Sequence, residues 1–354
     1  MWRVRLHMTI AAFAIPGDIN LQTGGYTYDR RLMALLPQFG VEVRHVPLPG
    51  GFPTPTEAEL ADTARLLGAV PSETIIVADG LAYGAIPADL LQPLRSPIVA
   101  LVHHPLCLEA GLTTERQKRL CELEKAALAL SRHVVVTSLT TRDTLVKDFA
   151  VPDAKITVAE PGTDPASRAG RTGTPLQLLT VGSVVPRKAY DVLVRALATV
   201  PGDWRLAIVG PTDRSPEALA ALQTAIHETG LTTRVDVAGP AGPAQLDQHY
   251  AAADIFVLPS LYEGYGMVLS EAMARGLTIV CTTGGAAAAT VPDTAAVKVP
   301  PGDVEALAAA LRRVLDDAAL RRRMSDAAWT AAQNLPRWED TARIVAGVIK
   351  GLGP

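Results

Sequence analysis

The chain has 354 residues, 48% hydrophobic and 19% charged, which is enough to bury two ordinary domains and argues against a disordered protein. Its formal net charge of -3 at pH 7 leaves no basic footprint for nucleic acid. Three cysteines, Cys107, Cys121 and Cys281, lack CxxC or metal-ligand spacing, which argues for reduced thiols packed as small hydrophobes and against a disulfide framework or a zinc site.

The apolar density of residues 3–15 predicts a buried parallel strand. A loop follows with Pro16, Gly17, Gly24 and Gly25, then helical spacing over 26–39, a stop at Gly40 and a second strand over 41–48. This is a βαβ unit, the mark of a parallel sheet covered by helices. Arg3 and Arg5 ahead of the apolar residues 8–15 imitate a signal peptide weakly, but the run is short and leads straight into that βα unit, so a cytoplasmic protein is expected. No apolar run approaches the roughly 20 residues of a membrane span.

The alternation continues with a helix over 56–68, strands over 74–78 and 98–103, a helix over 113–130, a strand over 133–137, a helix over 140–149 and a strand over 155–159. Residues 161–175, PGTDPASRAGRTGTP, have no periodicity and read as a linker. The pattern then restarts. Strands are expected at 176–181, 205–209, 235–238, 255–258 and 278–281, with helices at 189–198, 216–229, 243–252, from about 267, and at 303–316. A last helix with Trp338 covers 336–352. Two Rossmann-like halves follow, and ligands in such sheets bind beyond the carboxyl ends of the strands.

Four stretches carry chemistry. In PSLYEGYGMVLSEAMARG, residues 259–276, a strand runs into a glycine turn with Glu263 and then a helix with Glu271. Such a turn can hold an anionic or hydroxylated ligand on backbone N–H groups while the carboxylates accept from its hydroxyls. The bland alternative is one loop and one surface carboxylate, but Pro259, Gly264 and Gly266 suit close backbone approach. In VGSVVPRK, residues 181–188, Arg187 and Lys188 precede a helix, where cations oppose the helix dipole unless an anion binds. The pair suits a diphosphate. Gly24 and Gly25 could face a phosphate, although two glycines are more often simply a turn. In VALVHHPL, residues 99–106, His103 and His104 follow a buried strand at its carboxyl end, where at least one is expected to function; the other histidines, His7, His45, His133, His227 and His249, read as structural. The run Arg321, Arg322, Arg323 reads as a solvated helix face. No GxGxxG, GxxxxGK[ST] or GxSxG is present, and no Asp-x-Asp pair suggests a metal-chelated diphosphate.

Together these residues resemble a family 4 retaining glycosyltransferase of the GT-B fold. The likeness runs over nearly the whole chain: the Gly24–Gly25 turn with YTYDRRLMALLPQFGVEVRHV, His103, TSLTTRDTL, VPDAKITVAEPGTD, VGSVVPRK, Val209 with Gly210, FVLPSLYEGYGMVLSEAMARG and TTGGAAAATVPD with VPPGDVEALAAAL. It implies an α/β GT-B architecture, two Rossmann-like domains facing each other across a cleft. Residues 1–168 would form the acceptor-side domain, 169–335 the nucleotide-sugar donor domain, and 336–354 a helix packing back on the first.

By the same resemblance Glu271 would hold the ribose hydroxyls of the donor and Glu263 those of its sugar. Arg187 and Lys188 would neutralise the diphosphate, and Gly24, Gly25, Gly182, Gly210, Gly264, Tyr265, Gly266, Met267 and Val268 would complete the cradle. His103 would lie near the reacting carbon, so Glu263, His103, Arg187 and Lys188 form the expected catalytic group. Transfer would need no metal ion or other cofactor, retain the anomeric configuration, and start from a UDP- or GDP-sugar. The acceptor would be a glycan, a small molecule or a lipid-linked sugar. The apolar loops at 17–25, 81–87 and 105–112 are candidates for the acceptor site and could suit a lipid-linked acceptor with a peripheral membrane contact. The alternatives are a same-fold epimerase or phosphorylase and a nonenzymatic nucleotide-sugar binder. The chain departs from the family pattern at Pro161–Gly162, at His104, and after Gly284 and Gly285, where AAAAT replaces the usual acidic residue.

Overall fold

The computed structural model describes residues 9–170 and 173–353. Arg3, Arg5 and His7 of the expected first strand, and Arg171 and Thr172 of the expected linker, lie outside them. The chain forms two compact units, one reaching as far as Gly162 and resuming at Pro336, the other Thr163–Leu335.

In the first unit β1 (Thr9–Pro16) leads through α1 (Gly24–Leu35) to β2 (Val41–Leu48), and α2 (Glu57–Gly68) to β3 (Ile75–Asp79). Two short helices, α3 (Gly80–Tyr83) and α4 (Ala88–Leu91), precede β4 (Ile98–Val102). Then come α5 (Thr114–Leu130), β5 (His133–Val136), α6 (Leu139–Phe149) and β6 (Ile156–Val158). All pairings are parallel, in the order β2-β1-β3-β4-β5-β6. Every position of β3 and β4 is buried, as expected of strands covered on both faces.

The second unit opens with β7 (Leu176–Val181), α7 (Tyr190–Leu197), β8 (Trp204–Val209), α8 (Pro216–Glu228) and β9 (Val235–Gly239). It continues with α9 (Pro243–Ala252), β10 (Ile255–Leu258), α10 (Met267–Ala274), β11 (Thr278–Thr282), α11 (Ala287–Thr290) and β12 (Ala296–Val299). It closes with α12 (Val304–Asp316) and α13 (Ala318–Ala332). Its parallel sheet runs β12-β11-β10-β7-β8-β9. The strand order reverses between β1 and β3 in the first sheet and between β7 and β10 in the second. Those reversals leave a crevice at the carboxyl ends of the strands, where doubly wound sheets bind ligands.

The last helix, α14 (Trp338–Leu352), is part of the first unit. Trp338 is buried edge-on to Tyr28, centroids 5.8 Å apart, and Thr341 Oγ1 donates to the Glu160 carbonyl at 2.7 Å. This packing revises the linker. A Cβ on Gly162 would lie 2.2 Å from the Trp338 nitrogen, so Pro161–Gly162 is a tight crossing point rather than a flexible hinge. The unit boundary comes earlier than the expected break after residue 168, because Ala169 N donates to the Arg275 carbonyl at 2.9 Å and Arg168 pairs with Asp326, both within the second unit.

The short elements α3, α4, α11 and β12 carry no clear periodicity and were not expected, and α13 was expected only as the helix face that bears Arg321, Arg322 and Arg323. Arg321 is not merely solvated: its guanidinium donates to the Val314 and Leu315 carbonyls at 2.7 and 2.6 Å, satisfying the end of α12. The three thiols are free, but Cys107 and Cys121 bring their sulfurs to 2.7 Å, and burial pushes the Cys281 thiol up to about 12. Among the described residues no helix is long and apolar enough to cross a membrane.

Candidate functional site

The β7–β10 reversal places two loops side by side. After β7 the chain turns at Gly182 and passes Pro186–Lys188 as a single 3-10 turn into α7. After β10 it passes Pro259 and Ser260 to Glu263, then Gly266 in the left-handed region (φ 87°) starts α10. Backbone bonds tie the loops: Leu261 N donates to the Arg187 carbonyl at 2.8 Å, and Arg187 Nη1 donates to the Tyr262 carbonyl at 2.8 Å.

Across this junction Lys188 Nζ lies 2.7 Å from Glu263 Oε1, and Arg187 Nη1 lies 3.2 Å from Oε2. Glu263 is 5% exposed and Lys188 8%. Burial opposes the charge on Glu263, yet Lys188 and Arg187 outweigh it and hold the carboxyl down at about 2. Three residues assigned to separate contacts thus form one buried ionic cluster. The stem of Lys188 passes over Gly182, where a Cβ would fall 3.0 Å from Lys188 Cε. Gly210, after β8, abuts the same turn: a Cβ there would meet the Gly182 oxygen at 2.2 Å. Ala189, next to Lys188, takes φ 48°, a strained value for a residue with a side chain.

Glu271 lies one turn into α10. Its Oε2 accepts from the Tyr250 hydroxyl at 2.8 Å, and Arg275 stacks 4.3 Å from the Tyr250 ring centroid. Burial pushes the Glu271 carboxyl above the usual range against the pull of Tyr250 and Arg275. Tyr250, on α9, was not expected from sequence; its position in a helix next to His249 carries no signal. Met267 and Val268 open α10, where backbone N–H groups have no acceptor within the helix. Tyr265 is buried, its carbonyl accepting from Thr290 Oγ1 at 2.5 Å.

Gly284 and Gly285 take a role that sequence did not reveal. Glu263 and Gly285 form an isolated parallel bridge, Glu263 N donates to the Gly284 carbonyl at 3.2 Å, and Ala286 N donates to the Glu263 carbonyl at 2.7 Å. The two glycines therefore brace the backbone of Glu263.

In the first unit Gly24 and Gly25 are not loop residues but the first turn of α1, capped by Thr23 accepting from Tyr26 N. Gly25 meets His103: a Cβ on Gly25 would lie 3.1 Å from the ring. His104 turns away, with Nε2 3.1 Å from Glu109 Oε2. Within 81–87, Ala82, Tyr83, Ala85 and Ile86 are core, as are Leu106 and Cys107 within 105–112. Part of the apolar character of 81–87 and 105–112 therefore fills the interior, while Leu81, Leu108 and Leu112 are half-buried and no residue of 17–25 is buried. A concavity of about 570 Å³ lined by Asp293, Lys298, Arg313 and Arg323 involves neither the ionic cluster nor Glu271.

Two doubly wound parallel sheets, with a buried carboxylate–cation cluster at the reversal of the second, define a GT-B protein. The chain belongs to the group 1 glycosyltransferases. Residues 166–330 match the family described as "Glycosyl transferases group 1". A D-inositol 3-phosphate glycosyltransferase of Xylanimonas cellulosilytica is 30% identical over 259 residues, 68% of this chain and 62% of that protein. An MMP alpha-(1->4)-mannosyltransferase of Mycolicibacterium hassiacum is 28% identical, covering 82% of this chain and 74% of its own length. The match thus spans less than two thirds of the first of these. Among solved structures, sucrose-phosphate synthase of Thermosynechococcus elongatus superposes with a TM-score of 0.80 at 22% identity, covering 97% of this chain and 99% of that one. Anabaena HepE in complex with UDP and glucose gives 0.78 at 17% identity, covering 97% and 100%.

Proposed function

We propose that the protein is a retaining glycosyltransferase that moves a hexose from a nucleoside-diphosphate sugar to an acceptor hydroxyl without a metal ion. The observation that carries this reading is the Glu263–Lys188–Arg187 cluster at the β7–β10 reversal. A diphosphate leaving from the sugar C1 gains negative charge as the C1–O bond breaks, and two fixed cations at a water-poor position stabilise that charge. Glu263 pairs with both cations. Donor binding transfers them to the diphosphate and frees the carboxylate to accept from sugar hydroxyls, so the cluster is a stored, preorganised anion site. The reading extends to His103 and the Gly25 turn, which the resemblance assigns to the donor sugar.

Glu271 is proposed to take the ribose hydroxyls while Tyr250 fixes its orientation. Tyr250→Phe keeps the ring stacked 5.9 Å from Phe256 but removes the hydroxyl. Its nucleotide affinity is expected to fall about 10-fold, the loss of one hydrogen bond to a charged group, as read by titration calorimetry with UDP and GDP. Unchanged affinity would take the ribose role away from Glu271.

The relatives act on an inositol phosphate and, by the other's name, as a mannosyltransferase, and HepE holds UDP and glucose. These names favour UDP- or GDP-hexose and a polar acceptor, a small molecule or glycan, over a lipid-linked one. The test is incubation with UDP-glucose, UDP-N-acetylglucosamine and GDP-mannose against a panel of polyols, sugars and their phosphates, with nucleoside diphosphate release measured and the product's anomeric configuration read by NMR. A new glycoside of retained configuration supports the reading. Donors that neither raise Tm nor release nucleotide defeat it, and an isomerised sugar or sugar phosphate points to the epimerase or phosphorylase alternative.

A further inference from the structure

At the strand reversal of the first sheet, three side chains from separate elements converge: Asp29 on α1, Asp79 at the end of β3 and His103 just beyond β4. Their donor atoms lie within 4.8 Å of one another. Asp29 is fully buried, and neither of its oxygens has an N–H or hydroxyl group to accept from among the described residues. Asp79 differs, since its Oδ1 accepts from Leu81 N at 2.6 Å. His103 Nε2 lies 3.9 Å from Asp29 Oδ1, beyond hydrogen-bond reach, and has no partner of its own.

The other titratable or charged groups facing the cluster are committed elsewhere. Tyr28, edge-on to His103 at 5.3 Å between centroids, donates its hydroxyl to the Ala159 carbonyl at 2.8 Å. Arg30 donates to the Ile19 and Leu21 carbonyls and to Thr27 Oγ1. His104 pairs with Glu109. Arg30 acts on Asp29 only through space and is outweighed by burial and by Asp79, and like charges so close do not both ionise.

We propose that Asp29 and Asp79 share one proton as a buried carboxylic acid pair, Asp29 donating and Asp79 accepting, and that this pair is a positioning device for His103 against the Gly25 turn. The placement of the proton follows from the donors: Asp79 already accepts from a backbone N–H, whereas Asp29 accepts from none among the described residues. Burial, then the neighbouring Asp79, push the Asp29 carboxyl well above the usual range. Burial lowers the His103 imidazole below its usual value while Asp79 pulls the other way, leaving a neutral ring at pH 7. A protonated Asp29 does not draw a proton onto that ring, so the imidazole stays neutral beside the Gly25 turn, and the main-chain carbonyl of His103 accepts from Thr137 Oγ1 at 3.2 Å, which anchors the backbone that carries the ring.

The inference deepens the transferase reading, in which His103 serves the donor sugar, but its test does not depend on it. In the free protein the imidazole titration of His103 is followed by NMR in the wild type, Asp29→Asn and Asp79→Asn. Asn at 29 mimics a neutral donor, and its midpoint is expected to stay within about 0.3 pH unit of wild type. Asn at 79 still caps α3 but removes the single negative charge, and its midpoint is expected to fall by about one unit. Equal falls in both variants, or one divalent cation per chain in the purified protein, overturn the proposal. With a donor, kcat of Asp29→Asn is expected within threefold of wild type across pH 6–8, and Asp29→Leu at least 10-fold lower. A 10-fold loss in Asp29→Asn would equally overturn it. If no donor turns over, the NMR outcome still decides the proton's location, so failure of the transferase reading is seen separately.

Discussion

Glu263→Ala is expected to destabilise the second unit by about 3–5 kcal/mol and to lower kcat/KM by about 100- to 1,000-fold. The stability loss follows from what is left behind. Lys188 Nζ and Arg187 Nη1, 2.7 and 3.2 Å from the carboxylate, would remain buried without their shared partner. A buried cation that loses its anion costs far more than an exposed pair contributes. The same interaction predicts the pH dependence. Because the folded carboxyl is held near 2, below an ordinary value of 4.5, its contribution is fully present above about pH 4.5 and lost as pH falls from there to 2. That shift corresponds to roughly 3 kcal/mol, in line with the expected mutational loss. Glu124, fully buried on α5 with its carboxyl pushed up to about 8 by burial, acts with the opposite sign: its stabilisation is present in acid and lost as pH rises towards 8. The informative quantity is therefore the difference in unfolding free energy between wild type and Glu263→Gln. It should be large at pH 7 and collapse by pH 2.5, and a difference that stays constant over that range would show that the cluster does not carry the stability assigned to it.

Much of the architecture was legible because parallel strands covered on both faces leave continuous apolar runs, such as residues 75–78 and 255–258, and helices between them keep a 3.6-residue period. The residues of the ionic cluster could be picked out singly, from cations at a helix start and a carboxylate in a glycine turn. Their pairing could not, since Lys188 and Glu263 are 75 positions apart and each looked like a ligand contact in its own right. Asp29 was hidden for a different reason. In YDRRL it has the pattern of a solvated helix acid, and only the packing of α1 against β3 and the residue after β4 removes it from water. The apolar loop at 81–87 misled in the reverse direction: Tyr83 and Ile86 suggested a surface for a lipid, but both are part of the core of the first unit. Composition gives the apolar content of a loop, not which way it points.

Gly285→Ala is the second large expected effect, and it changes the meaning of the missing acidic residue. A Cβ at Gly285 would fall 2.2 Å from the Glu263 carbonyl oxygen and 2.9 Å from its nitrogen, and the residue sits at φ 63°. The backbone strain alone costs about 1–3 kcal/mol, and the clash must be relieved by moving Glu263 itself. Gly284 is equally constrained, with a Cβ placed 2.2 Å from the Leu261 oxygen. The stretch after β11 thus acts through its backbone: it holds Glu263 in register, and Ala286 and Ala287, 1% and 0% exposed, leave no room for a charged side chain at the positions that follow. Gly285→Ala should lower stability by about 2 kcal/mol or more and weaken nucleotide-sugar binding at least 100-fold, since the carboxylate leaves its cations. Ala289→Ser, at an exposed position of the same stretch, should change neither. Calorimetric unfolding and donor titration on both variants provide the measurement. If Gly285→Ala bound donor as wild type does, the brace would not be what positions Glu263, and the loss of the acidic residue would again need a separate explanation.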